Sequence, residues 1–166
     1  MEMIEYMYQY YQSERSTAIL AVAIGVVFLI TSFLFFQYFG NYKLVKGLLY
    51  TLCGAGLFFL VTGVVVTIHN NRKMEEVALS PQTNFVLHQS EKARIQLVLT
   101  TGYRFSLILF STLVVGGLSI ILTFSNDLWK GIGLGLLIVG TVGHVMEDFS
   151  MQKNQAYQQK LDLVNF

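Results

Sequence analysis

A chain of 166 residues is long enough for one domain, but 54% hydrophobic and only 13% charged residues, about half the usual charged share, argue against a water-soluble one. Eleven basic residues against ten acidic ones leave no clustered basic excess to neutralise phosphates, so nucleic acid is not an expected partner. The single cysteine, Cys53, excludes an intrachain disulfide, and its leucine-flanked setting favours an inert buried thiol.

The chain opens with a Tyr- and Met-rich segment, 1–14. Met1, Ile4, Tyr8 and Tyr11 recur at helical spacing, as do Met3, Met7 and Tyr10. This pattern predicts an amphipathic helix that either lies at the lipid headgroups or docks on the rest of the protein; it lacks the Lys/Arg face of a membrane-binding peptide. Glu2, Glu5 and Glu14 outnumber Arg15 ahead of the first apolar stretch, the reverse of a secretory leader, so that stretch is expected to stay in the mature protein.

Four runs without an ionisable residue follow, between Arg15 and Lys43, Lys46 and His69, Arg104 and Asp127, and Lys130 and His144. A hydrocarbon core of ~30 Å needs about 20 apolar residues to cross it, and backbone groups in lipid must bond within their own segment. The prediction is an all-α integral membrane protein, a four-transmembrane-helix bundle in one domain with spans at 17–38, 45–69, 104–125 and 129–149. The loop 70–103 carries a second helical pattern, capped by Ser80 and Pro81 and running from Gln82 through Leu97 and Leu99 until Gly102 interrupts it. The tail 150–166 is polar and ends in Leu161, Leu163, Val164 and Phe166, which could dock on that loop helix.

Lysines and arginines fall unevenly. The N-terminal segment, the middle loop and the tail hold Arg15, Arg72, Lys73, Lys92, Arg94, Arg104, Lys153 and Lys160; the two short connections hold only Lys43, Lys46 and Lys130. The bias predicts both termini and the loop in the cytoplasm, in an inner membrane of bacterial type. The two helical hairpins also resemble each other. A shift of 89 residues aligns Arg15 with Arg104 and Leu29 with Leu118, while a shift of 84 aligns Lys46 and Gly47 with Lys130 and Gly131. Duplication would make the hairpins parallel repeats about an axis along the membrane normal, with a five-residue length difference in the outer turns.

Small residues let helices approach in lipid, so Gly47, Gly54, Gly56, Gly63, Gly131, Gly135, Gly140 and Gly143 are the expected packing positions. Intramolecular packing and a homo-oligomer interface both remain open uses of this pattern. The bilayer centre holds no acid or base, and the glutamate that small four-span drug/proton exchangers carry in their first span is missing there.

Ionisable groups gather instead at the inner edge, where Arg15, Arg104, His144, Glu147 and Asp148 are expected to form an interfacial ion-pair network, with Arg104 and either acid as the first pair to test. No catalytic motif or cofactor fingerprint is present; the alternatives are a metal site using His144, Glu147 or Asp148, where no cysteine or second close histidine completes a usual ligand spacing, and a haem held by His69 and His144. These features point to a non-enzymatic membrane protein that acts on a membrane or cytoplasmic partner, for instance as an immunity or accessory subunit for another membrane-active protein. The alternative is an oligomeric subunit of a small transporter or channel.

Overall fold

A computed structural model describes residues 2–79 and 85–163. Its helices are α1 (Glu2–Phe39), α2 (Lys43–Ala78), α3 (Phe85–Leu97), α4 (Tyr103–Thr123) and α5 (Asp127–Leu163). A π-helical turn, Val98–Gly102, joins α3 to α4 without a break, so the third long element runs over Phe85–Thr123. Four helical elements are therefore long and apolar enough to cross a bilayer, and the chain is an all-α four-helix membrane bundle.

The helices are longer than the membrane requires. At 1.5 Å per residue, 36 to 39 residues extend about 54–58 Å, so about 25 Å of each lies beyond a ~30 Å hydrocarbon core. The apolar spans abut the hairpin turns, so this surplus gathers at the opposite end, where both termini and the 79–85 connection lie. We call this projecting part the head. The N-terminal segment is thus the first part of α1 rather than a separate helix lying on the membrane.

Local sequence explains the turns. Gly40 follows the end of α1 and donates to the Phe36 carbonyl (3.1 Å), and extended Tyr42 starts α2. In the second hairpin extended Phe124 ends α4, and the Asn126 side chain accepts from the Leu128 amide (2.9 Å), an N-cap followed by Asp127 at the positive end of the helix. Phe124 stacks on Trp129 where an aromatic belt is expected. Gly102 does not interrupt its helix: it keeps helical angles (φ −60°, ψ −52°) inside the π turn. The cap foreseen at Ser80 and Pro81 lies outside the described residues, as do Met1, Gln82, Val164 and Phe166.

Both turns hold three residues, 40–42 and 124–126. The hairpins therefore correspond at one shift of 84, and the expected five-residue difference in turn length does not exist. The matches found at a shift of 89 lie more than a helical turn out of register. Slipping a helix by one turn nearly preserves its faces, so an apolar sequence can match itself in the wrong register. The α2 and α5 half of the match is different, because packing repeats it. Gly47 lies against the Leu128 carbonyl and Ile132 amide, and Gly131 against the Leu44 carbonyl and Leu48 amide. Each pair is the other moved by 84.

This reciprocal contact places α2 and α5 side by side, with α1 outside α2 and α4 outside α5. Among the described residues, α1 and α4 make no backbone contact. Gly25 and Gly56 bring α1 and α2 together, helped by Gly63 against the Ala18 carbonyl. Gly117 and Gly133 face each other across α4 and α5, and Gly140 and Gly143 pack on Phe110 and Val114. Gly135 meets Thr51 of α2, so both glycines of the G-x-x-x-G pair, Gly131 and Gly135, serve packing within the chain. Gly54 does not: nothing lies within 4 Å of the position its Cβ would take. Ala21, Leu52, Phe59 and Val139 fill the membrane-level core between these contacts. Cys53 is exposed on the outer face of the first hairpin, not buried, because it sits one position beyond the inward-facing Leu52.

Candidate functional site

The head has its own core. Met7, Tyr10 and Tyr11 of α1 pack with Met74 and Val77 of α2, Ile95 of α3, and Tyr157 and Leu161 of α5. Spacing of three or four residues puts each set on one helix face. Four helices thus continue to pack outside the spans, and two of them come from the loop, expected to be helical, and the tail, expected to dock on it.

A polar network threads this core. The Tyr11 hydroxyl donates to Glu91 Oε1 (2.6 Å), and Arg94 Nε donates to Glu91 Oε2 (3.0 Å). Arg94 Nη2 also lies 2.9 Å from that oxygen, without the alignment of a second hydrogen bond. Its guanidinium sits over the rings of Tyr10 and Tyr11, at 5.5 and 5.3 Å from their centroids. Tyr10 stacks on Tyr157 with ring centroids 3.9 Å apart and donates to Asn154 Oδ1 (2.5 Å). His88 bonds through Nε2 to the Leu161 carbonyl (3.0 Å), and Lys92 pairs with Asp162 (2.5 Å) on the outside. Glu91 is only 5% exposed, so its charge depends on Arg94 and the Tyr11 hydroxyl.

Burial is the main reason that the phenols of Tyr10, Tyr11 and Tyr157 are pushed above their ordinary range, and nearby Glu91 adds to it. They stay neutral at physiological pH; Tyr10 and Tyr11 act as hydrogen-bond donors, and all three serve as ring surfaces rather than nucleophiles. The Tyr157 hydroxyl is buried without a partner. The network's evident work is mechanical: it clamps α3 to α1 and α5 across stretches of chain that are remote in sequence.

Below the head, at the edge of the spans, a cleft of about 340 Å³ opens between the two hairpins. Its walls include Phe58, Phe59, Phe105 and Phe110, and Glu14 and Glu147 line it. Glu14 Oε1 is buried with no hydrogen-bond partner, and burial pushes this carboxyl above its ordinary range although Lys153 and Arg94 pull the other way. Lys153 is held nearby, donating to Thr17 Oγ1 (2.6 Å) and the Ser13 carbonyl (3.3 Å).

The five residues expected to form an ion-pair network lie at this level, each with other surroundings. His144 contacts Ser111 Oγ (3.3 Å) and the edge of Phe110, Glu147 lines the cleft with Ser106, and Asp148 accepts from Gln152 (3.0 Å). Arg15 and Arg104 are exposed, and among the described residues neither enters an ion pair. The helices that carry them, α1 and α4, are not neighbours. His69 is exposed on α2 and shares no contact with His144 among the described residues. No group of three or more His, Cys, Asp or Glu side chains among the described residues is placed to hold a metal ion.

Sequence reasoning did not connect Tyr10, Tyr11, Glu91, Arg94, Asn154 and Tyr157 into one network. Two signals were available: Glu91 and Arg94 stand three apart on a predicted helix, and Met7 with Tyr10 and Tyr11 marks an apolar face. Neither signal names its partner. Comparison with protein-family models, with curated proteins and with solved structures gives no match for this chain.

Proposed function

We propose that this chain is a non-enzymatic membrane protein that works through protein contacts made by its head, on the cytoplasmic side of an inner membrane of bacterial type. The observation that supports this reading is the composition of the tip. Leu79 at the end of α2, Phe85 and Val86 at the start of α3 and Leu163 at the end of α5 are exposed, Leu79 by 87% and Leu163 by 81%. Lipid accounts for exposed apolar side chains along the spans, but these lie at the part of the bundle farthest from them, where such a patch favours a protein partner. The Lys/Arg bias supports the cytoplasmic side. An immunity or accessory subunit for another membrane-active protein is the concrete form of this proposal.

The test is purification of the full chain in mild detergent with chemical cross-linking and mass spectrometry, beside a Leu79→Glu, Val86→Glu variant. A partner cross-linked to the tip and lost in the variant is the expected result. Recovery of the wild-type chain alone and monodisperse would refute the proposal.

One observation favours a second reading, an oligomeric transporter or channel subunit. The cleft between the hairpins combines aromatic walls with Glu14 and Glu147, a setting suited to a cationic solute. Proteoliposome flux of a cation panel above that of empty liposomes, abolished by Glu14→Gln, would support it; flux equal to that of empty liposomes would remove it.

A further inference from the structure

The two hairpins close differently near their turns. In the second, Gly117 and Gly133 let α4 and α5 touch, each with its Cβ direction 2.6 Å from the other's carbonyl oxygen. In the first hairpin the same packing register, continued from Gly63 on Ala18 and Gly56 on Gly25, brings Ser32 opposite Leu49. These residues stand where a glycine contact would otherwise continue, and both are buried. Beside them lies a groove of about 290 Å³, lined by Leu29, Ser32, Phe33, Phe36, Lys46, Leu49, Tyr50 and Cys53.

Its polar groups are unusual for their place. Ser32 is 8% exposed, and its hydroxyl has no hydrogen-bond partner. Elsewhere in these spans Thr51, Thr62, Thr67, Thr112 and Ser119 all donate back to the carbonyl four residues earlier, the ordinary way to satisfy a hydroxyl in lipid. Lys46, at the end of the groove nearest the turn, enters no ion pair among the described residues. It precedes Leu49 by three residues, so its backbone lies about 4.5 Å closer to the membrane surface than the Ser32 level. Phosphate and ester groups of a glycerophospholipid are separated on this scale, and the rest of the groove is apolar.

We infer that the groove between α1 and α2 is a binding site for an anionic glycerophospholipid of the leaflet on the turn side. Lys46 takes the phosphate, the Ser32 hydroxyl donates to an ester carbonyl, and one acyl chain lies along Leu29, Phe33 and Cys53. The second hairpin keeps the lysine, as Lys130, but replaces Tyr50 with Leu134 and Cys53 with Leu137 and has no groove at the Gly117 contact. It is an internal control.

The test is native mass spectrometry of the full chain released from mild detergent, with phosphatidylglycerol or phosphatidylcholine of identical acyl chains added. Phosphatidylglycerol should be retained about tenfold better, because the choline cation of phosphatidylcholine offsets the phosphate charge that Lys46 meets. Lys46→Gln should bring it down to the phosphatidylcholine level, Lys46→Arg should restore it, and Lys130→Gln should leave it unchanged. Ser32→Ala should weaken both lipids alike. A photoreactive phosphatidylglycerol should cross-link within residues 29–53. Equal retention of the two lipids, equal losses from Lys46→Gln and Lys130→Gln, or cross-links chiefly on α4 and α5 would overturn the assignment.

Discussion

The first and second hairpins share turn length and correspond at a single shift, yet they spend their glycines in different places. The second is in close contact from Gly117 and Gly133 near the turn to Gly143 deep in the bundle. The first closes only from Gly25 and Gly56 inward, leaving a groove on the turn side. In lipid the apolar solvent provides no drive to bury apolar surface, so close packing determines where helices adhere. At the shift of 84, Gly117 and Gly133 stand where the first hairpin has Phe33 and Leu49, and that exchange separates a hairpin in close contact from one with a groove. The hairpins also join in two ways. Within the membrane a reciprocal glycine contact links α2 to α5; in the head a polar clamp ties α1 to α3 and α5.

The largest expected effect comes from breaking the clamp. Glu91→Ala leaves the half-buried Arg94 beside Tyr10 and Tyr11 without its anion and should cost about 3 kcal/mol. Hydrogen exchange should show fast amide exchange confined to α3 and the facing part of α1. If protection in α3 is unchanged, the clamp does not join the hairpins.

Next comes the membrane contact. A Cβ at Gly131 would run into the Leu44 carbonyl, so Gly131→Ala should lose about 2–3 kcal/mol, read as a lower midpoint of thermal unfolding in detergent. The reciprocal Gly47→Ala should behave alike; a large loss in only one would show that the contact is not reciprocal.

The comparison between hairpins sharpens with a smaller pair. Gly117→Ala should cost about 1–2 kcal/mol, because the Gly133 backbone must yield. Gly54→Ala, which meets open space, should be neutral or stabilise by up to about 1 kcal/mol through helix propensity.

The smallest effect depends on pH. Burial raises the Glu14 carboxyl in the folded protein, so the folded state holds its proton more tightly than the unfolded chain does. The resulting destabilisation is absent below the ordinary value of 4.5 and grows as pH rises above it, until the folded carboxyl has also ionised. Glu14→Gln should therefore raise the unfolding midpoint at about pH 7 and lose that advantage at about pH 4. An advantage that is constant with pH would assign the effect to packing.

The head shows where sequence reading stopped. Tyr11 and Glu91 are 80 residues apart, and Tyr10 and Asn154 are 144 apart. The amphipathic first segment, the loop helix and the apolar end of the tail mark faces able to dock, but no local signal says which residues of these stretches meet. The rim residues teach the same lesson from the other side: Arg15, Arg104, Glu147 and Asp148 share a depth along the membrane normal, but depth does not make neighbours. Gly47 and Gly54 have the spacing of a packing pair, yet only Gly47 touches another helix.

What the sequence determined by itself is the number of helices long and apolar enough to cross a bilayer, because a charge in hydrocarbon is costly whatever the tertiary arrangement. It also carried the α2 and α5 correspondence, since Lys46 and Gly47 reappear as Lys130 and Gly131. Only the tertiary structure decided which apolar face meets protein and which meets lipid, which glycines are contacts, and how α1 and α4 are registered. The reason is physical. Lipid and protein interior are both apolar, so the hydrophobic pattern that separates inside from outside in a soluble protein cannot separate the buried face of a membrane helix from its exposed one.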